Sequence, residues 1–207
     1  MMKKTAILLG SILLCFMFTN VNAQKIKVVK GDLSSFKGIT EIDMEYDYSE
    51  MGVGKFKTEE AYIEKKVTEY NEDEAGKGDA WEEEWHADKE KTYQPKFEKL
   101  FNIIMLDKGT GIEVGFFPSA AYTLILKTTF LEPGFNIGIS RKDASINIEA
   151  MLVKSDDPDH VIVQINMDKV PGRGAMGGDF DTEYRIGEAY AKAGKEMAGY
   201  IWKKGLK

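Results

Sequence analysis

Two histidines and one cysteine leave few ways to build a reactive centre in a chain of 207 residues. His86 stands in an acidic run with Glu82, Glu83, Glu84, Asp88 and Glu90. On a helix Glu82 and His86 share a face at i, i+4, which supplies two ligands of a transition-metal site. A third ligand must come from elsewhere, and His160, the other imidazole, is joined to His86 by no H-x-x-x-H spacing. The run reads more simply as the wet face of an acidic helix that buries its tryptophans, with no metal. A metal-dependent or carboxylate-based periplasmic hydrolase stands as the alternative, and it requires His86 or His160 to converge with at least two carboxylates in a pocket.

Other patterns are weaker. Glu41, Asp43, Glu45 and Asp47 alternate along a strand about 7 Å apart, a ladder that suits calcium or, equally, a wet strand face kept charged against aggregation. Gly172, Gly174 and Gly177 spell G-x-G-x-x-G. A dinucleotide site needs that loop to open a helix directly, with another strand following. Here Asp179, Asp181 and Glu183 crowd the helix start, where they repel a pyrophosphate, and no strand pattern follows. No cofactor is expected. Neither histidine lies near a G-x-S-x-G elbow, so nucleophilic catalysis has no support and no catalytic residue is assigned.

The aromatic residues are more informative. Trp81, Trp85, Tyr93, Phe97 and Phe101 fall in one helical stretch beside the acids. Most should be core, yet an amphipathic, aromatic, acid-rimmed segment is also the best place in this chain for a partner to bind. Trp81, Trp85, Tyr93 and Phe97 are therefore the candidate partner surface.

The elements that must position these residues follow from periodicity. Ile42, Met44, Tyr46 and Tyr48 alternate with acids and predict a strand over 40–48, ended by a turn at Met51 to Gly54. Thr58 caps a helix carrying Tyr62, Ile63, Val67 and Tyr70, and a loop spans Asn71 to Asp79. Asp79 caps a second helix, Pro95 stops or restarts it, and Phe97, Leu100, Phe101 and Ile104 stripe the continuation. Strands follow over 112–117, 122–130, 144–153 and 161–167, the last two joined as a hairpin by Asp156 to Asp159. A glycine-rich loop over 171–178 leads to a final helix over 182–204. Its inward face is Ile186, Ala189, Tyr190, Ala193, Met197, Tyr200 and Ile201. The order predicts a two-layer α+β domain over 24–207, with a mainly antiparallel or mixed sheet packed by an amino-proximal helical segment and a carboxy-terminal helix.

The first 23 residues read as a signal peptide. Lys3 and Lys4 precede an apolar run, and Val21-Asn-Ala23 sets small residues at the peptidase positions, so cleavage falls between Ala23 and Gln24. Cys15 lies inside the apolar run and follows Leu14, where a lipoprotein signal wants Gly or Ala. After cleavage the chain has 184 residues, no cysteine and a net charge of −8, with no segment long enough to span a membrane. Residues 41–90 carry 18 acids against six lysines. With only Arg141, Arg173 and Arg185 as arginines, the chain is a poor partner for nucleic acid.

A resemblance adds to this reading. The leader ending in Asn-Ala-Gln, the segment Met51-Gly-Val-Gly-Lys-Phe-Lys-Thr-Glu-Glu-Ala-Tyr, the Trp81 to Trp85 run and Tyr93-Gln-Pro-Lys-Phe-Glu-Lys-Leu-Phe-Asn are similar to uncharacterised exported proteins of Bacteroidetes. The back half, Tyr122 to Lys204, resembles envelope domains of the curli-secretion-lipoprotein and TolB-amino-terminal type. The resemblance implies an exported protein, periplasmic or at the cell surface. It implies a non-enzymatic binding or assembly module with an envelope protein as partner, and it carries no catalytic residue.

Overall fold

Alternation over Glu41–Asp47 produces the strand that period-two patterning requires, with Ile42 fully buried and Glu41 and Glu45 exposed. The computed structural model describes residues 24–173 and 180–207. The leader with Cys15 and Ala23, and the glycine-rich run from Gly174 to Asp179, lie outside the described residues. In chain order the strands are β1 (Lys25–Lys30), β2 (Glu41–Asp47), β3 (Gly52–Val53), β4 (Glu113–Gly115), β5 (Tyr122–Glu132), β6 (Phe135–Asn136), β7 (Arg141–Lys142), β8 (Ala144–Lys154) and β9 (Val163–Gly172). The helices are α1 (Glu59–Asp73), α2 (Lys77–Asp88), α3 (Gln94–Asp107) and α4 (Thr182–Ile201).

The main sheet is mixed, in the order β1-β9-β8-β5-β2-β4, with β3 added against β5. β1, β9, β8 and β5 are antiparallel neighbours, whereas β2 runs parallel to both β5 and β4. The parallel part follows from topology. The whole of α1 to α3 separates β2 from β4 and β5, and a helical crossover of that length returns the chain in the same direction. β6 and β7 form a separate two-stranded hairpin. α4 packs across β8 and β9, with α3 beside it, giving the two layers.

Several local expectations change. Met51 to Gly54 is no simple turn: Gly52 and Val53 pair with Phe130 and Leu131, and Met51 and Val53 are buried. The strand expected over 112–117 shortens to β4, and the last strand extends so that Pro171 and Gly172 pair with Ser145 and Ala144. The loop expected from Asn71 to Asp79 shrinks because α1 reaches Asp73 and α2 starts at Lys77, so Gly76, not Asp79, is its N-cap residue. Gly78 lies at the α1–α2 crossing, where a Cβ would stand 2.3 Å from the carbonyl oxygen of Val67. Pro95 restarts the helix, in the first turn of α3, and does not stop it. A π turn over Lys89–Tyr93, closed by the Gln94 N–H on the Lys89 carbonyl, carries the helix past the proline, whose missing N–H would interrupt a regular ladder.

The core is continuous through both layers, from Phe36 and Ile42 to Phe101, Leu126, Ile148, Tyr190 and Met197. One polar pair crosses it: the Thr128 and Tyr190 hydroxyls hydrogen-bond at 2.7 Å, both side chains essentially without solvent. Thr128→Val keeps the shape and orphans the phenol, so a loss of about 1–2 kcal/mol is expected in urea denaturation. Tyr190→Phe should then cost much less in the Thr128→Val background than in the wild type. Among the described residues no helix is long and apolar enough to cross a membrane.

Candidate functional site

The α1–α2 hairpin gathers the aromatic residues into a chain of ring contacts. Phe56 meets Tyr62 at 5.8 Å, Tyr62 meets Trp81 at 5.9 Å and Trp85 at 5.1 Å, and Trp81 meets Tyr70 at 5.6 Å and Trp85 at 5.4 Å. The i, i+4 spacing of the tryptophans puts both on the face of α2 turned to α1. Trp85 is locked from below, where its indole N–H donates at 2.6 Å to Glu59, whose other oxygen accepts from Lys89 at 2.7 Å.

This packing corrects the surface expected from sequence. Trp85 is buried against α1, and Tyr93 and Phe97 are buried because the π turn and α3 press their apolar stripe onto α4, with Tyr93 stacked on Tyr190 at 5.3 Å. Trp81 alone of the four stays half-buried and open to a cavity.

That cavity is a groove of about 410 Å³. Phe56, Tyr62, Tyr70 and Trp81 form one wall. The β5–β6 turn with Phe135 and Ile137, and Phe180 ahead of α4, form the other. Phe135, Ile137 and Phe180 are 42%, 66% and 65% exposed, so large apolar side chains rim an aromatic floor. Arg185, 2% exposed, fixes the second wall: its guanidinium donates to the Phe180 carbonyl and Thr182 hydroxyl at 2.9 Å and to the Gly134 carbonyl at 3.4 Å. Gly134 is required in that turn, with φ +64° and a Cβ position 2.3 Å from the Lys142 carbonyl oxygen. Sequence reasoning passed over these residues. The available signal was the alternation of Phe135, Ile137 and Ile139 after Pro133-Gly134, outside any recognised strand.

The groove opens into a second chamber of about 530 Å³ that shares Tyr70, Trp81 and Thr182 with it. Trp85 and Tyr93 complete the aromatic side, and Glu84, Asp88, Asp181 and Glu183 line it as well, with Lys91 the single cation among the described lining residues. Asp181 caps α4 by accepting from the Glu183 N–H at 2.9 Å, and Glu183 also accepts from the Thr92 hydroxyl. The Asp88 carboxyl is pushed up to about 6, first by burial and then by Glu183, Asp181 and Glu84, with Lys91 acting the other way. Burial, then Asp88 and Glu183, hold the Tyr93 phenol well above its ordinary range, so it stays neutral. Chemically, the two spaces can seat an apolar segment and, beside it, positive charge.

The other sequence candidates lie apart. His86 and Glu82 come within 3.8 Å on the outer face of α2, both about half exposed, and His160 is exposed in the β8–β9 connection. Among the described residues no three His, Cys, Asp or Glu side chains are grouped to hold a metal ion. In the β2 ladder Asp43 accepts from the Phe117 N–H at 2.7 Å and Asp47 from the Ser49 N–H at 2.8 Å. A cavity of about 600 Å³ outside α4 is larger, but its lining is dominated by long charged chains such as Glu188, Lys192, Lys195 and Glu196. It lacks the aromatic floor and fixed polar groups of a recognition site.

No family model and no curated protein matches this chain. Among solved structures, the PelC dodecamer from Paraburkholderia phytofirmans is similar at 10% identity and a TM-score of 0.40, over 85% of this chain and 98% of that one. Protein XCC0632 from Xanthomonas campestris, of family DUF330, is similar at 10% identity and a TM-score of 0.31, over 84% and 91%. Similarity at that level assigns no function to this chain.

Proposed function

We propose that this chain is an exported, non-enzymatic binding module of the cell envelope, and that its aromatic groove is the face that receives the partner. One observation carries the reading. Phe135, Ile137 and Phe180 stand exposed along a groove whose floor is Tyr62, Tyr70 and Trp81. Apolar side chains held in water beside an aromatic cleft mark a recognition surface more often than they mark idle surface. Export rests on the leader, with its charged start, apolar run and Val21-Asn-Ala23 site. The partner that fits is an envelope protein offering an apolar segment to the groove.

The test is cross-linking and capture of the tagged protein from its native envelope, with Ile137→Asp and Phe180→Asp combined. Recovery of a defined partner should fall at least tenfold in that variant with unfolding unchanged. It should persist with Leu106→Asp, a residue 80% exposed at the far end of α3. Equal recovery from both variants, or no partner from the wild type, would contradict the proposal.

A further inference from the structure

We propose that the face of the main sheet turned away from the helices pairs with the same face of a second copy of this chain, about a two-fold axis running along the strands. Alternation sorts the side chains of the sheet. Ile146, Ile148, Ala150 and Leu152 of β8 enter the core beneath α4, so Asn147, Glu149 and Met151 face the other way. Ile125 and Met151 stand opposite each other across β5 and β8 on that second face; both are partly exposed and neither packs against the core. The pairing register carries two rows across it. One runs Glu45, Ile125, Met151, Gln164, Lys30, and the other Asp47, Lys127, Glu149, Asn166, Lys27. The face uses none of the groove's residues and does not rest on the function proposed above.

Charge is segregated along those rows. Lys25, Lys27 and Lys30 stand at the β1 margin, Glu41, Glu45 and Asp47 at the β2 margin, and the apolar pair lies between them. Charged edge strands have an ordinary explanation, since charge discourages edge-to-edge pairing. That purpose is served by charge of either sign. It calls neither for opposite signs on the two margins nor for partly exposed apolar side chains at the centre, which is the anatomy of an interface. Among the described residues Lys25, Lys27, Lys30, Glu41 and Glu45 make no ion pair, so both margins are free to meet a partner.

A two-fold axis along the strands, between β5 and β8, exchanges the margins. It sets Met151 over Ile125 of the second copy, Glu149 over Lys127, and the lysines of β1 toward the carboxylates of β2. An axis across the strands would instead lay lysine on lysine and acid on acid. Size fits as well. Five strand spacings of about 4.8 Å and central strands of 10–11 residues at about 3.3 Å give a face of at most roughly 24 by 35 Å, close to the ~800 Å² that each partner gives to an interface of standard size. The middle of the face is already ordered. Glu149 accepts from the Asn166 amide at 3.2 Å, and Lys127 holds Glu50 and, at 3.8 Å, Asp47, so pairing costs little side-chain freedom there.

The experiment is sedimentation equilibrium of the exported chain, purified after processing, at concentrations up to about 100 μM. A reversible dimer and nothing larger is expected, because a two-fold contact closes at two copies, and its association should weaken several-fold between about 0.05 and 0.5 M salt. Lys27→Glu with Lys30→Glu, and separately Glu41→Lys with Glu45→Lys, should each weaken it at least tenfold with the unfolding midpoint unchanged, since all four side chains are exposed. Mixed in equal amounts, the two variants should pair with each other at least tenfold more tightly than either pairs with itself, because one offers two acidic margins and the other two basic ones. Both variants keep a net negative charge, so the mixture reads local pairing and not bulk attraction. Met151→Glu should abolish the dimer by charging its centre. A monomer throughout, a ring or open series of larger oligomers, a mixture no tighter than its components, or a dimer indifferent to Met151→Glu overturns the proposal.

Discussion

Gly194→Ala should destabilise the protein by about 3 kcal/mol, although alanine is the better helix former by roughly 1 kcal/mol. Gly194 lies in α4 where it crosses α3, and a Cβ there would stand 2.2 Å from the Phe97 carbonyl oxygen and 3.2 Å from the Phe101 nitrogen. Both are backbone atoms of a helix anchored by buried Phe97 and Phe101, so neither can swing aside. Ordinary contact between heavy atoms is about 3.5 Å or more, so the helices must part by roughly 1 Å, loosening the Tyr93–Tyr190 stack along the same seam. In a chain this size the loss corresponds to a fall of roughly 6–12 °C in Tm. Gly199→Ala is the control. Its Cβ would meet nothing within 4 Å, so propensity alone acts and a gain of about 0.5–1 kcal/mol is expected. Thermal unfolding of the pair decides it. An equal gain at both positions would show that α3 and α4 are not packed this closely.

Glu59→Ala should cost about 3–4 kcal/mol. Glu59 is 7% exposed and serves two donors from different elements, the Trp85 indole and the Lys89 ammonium. Truncation leaves a buried N–H without an acceptor and an ammonium beside the core without a counter-charge, and each is a named cost of its own. The Lys89 ammonium also sits 4.8 Å over the Tyr48 ring, which holds it in place. Glu59→Gln keeps an acceptor for Trp85 but not the charge for Lys89, so its loss should be smaller than that of the alanine variant. Lys89→Met in the Glu59→Gln background should recover part of the loss, because the pair is replaced by neutral groups. Guanidinium unfolding read by tryptophan fluorescence measures all three. A loss under 1 kcal/mol for Glu59→Ala would remove the pair as a support of the aromatic wall.

The strands and α4 were legible because their patterns are local. Ala144, Ile146, Ile148, Ala150 and Leu152 share a buried face as period two requires, and the small residues of α4 lie against the sheet and α3. Pairing direction is not written in alternation. β2 alone cannot show that it lies parallel to β5, and only the helical crossover between them decides it. Pro95 marked the restart of the helix, at the first turn of α3, but not the π turn that joins α3 to α2 without a break. Glu59 read as an acid at a helix start, and only the three-dimensional neighbourhood of Trp85 shows a buried hydrogen-bonding role. The aromatic segment was recognised, but its helical stripe faces inward. The open part of the site comes from Phe135, Ile137 and Phe180, which lie outside the long strands and helices, and the brief alternation of Phe135, Ile137 and Ile139 gives no sign of which face is buried. Arg185 was one arginine among three until its acceptors on Pro133, Gly134, Phe180 and Thr182 were visible.

The central claim is that the groove between Trp81 and Ile137 receives the partner. Photo-cross-linking in the native envelope tests it most directly, with a benzophenone amino acid placed at Ile137 or, in a second strain, at Leu106. The expected result is one discrete adduct from Ile137, diminished by Trp81→Ala, and none from Leu106. Adducts of equal yield from both positions, or from Leu106 alone, would contradict it.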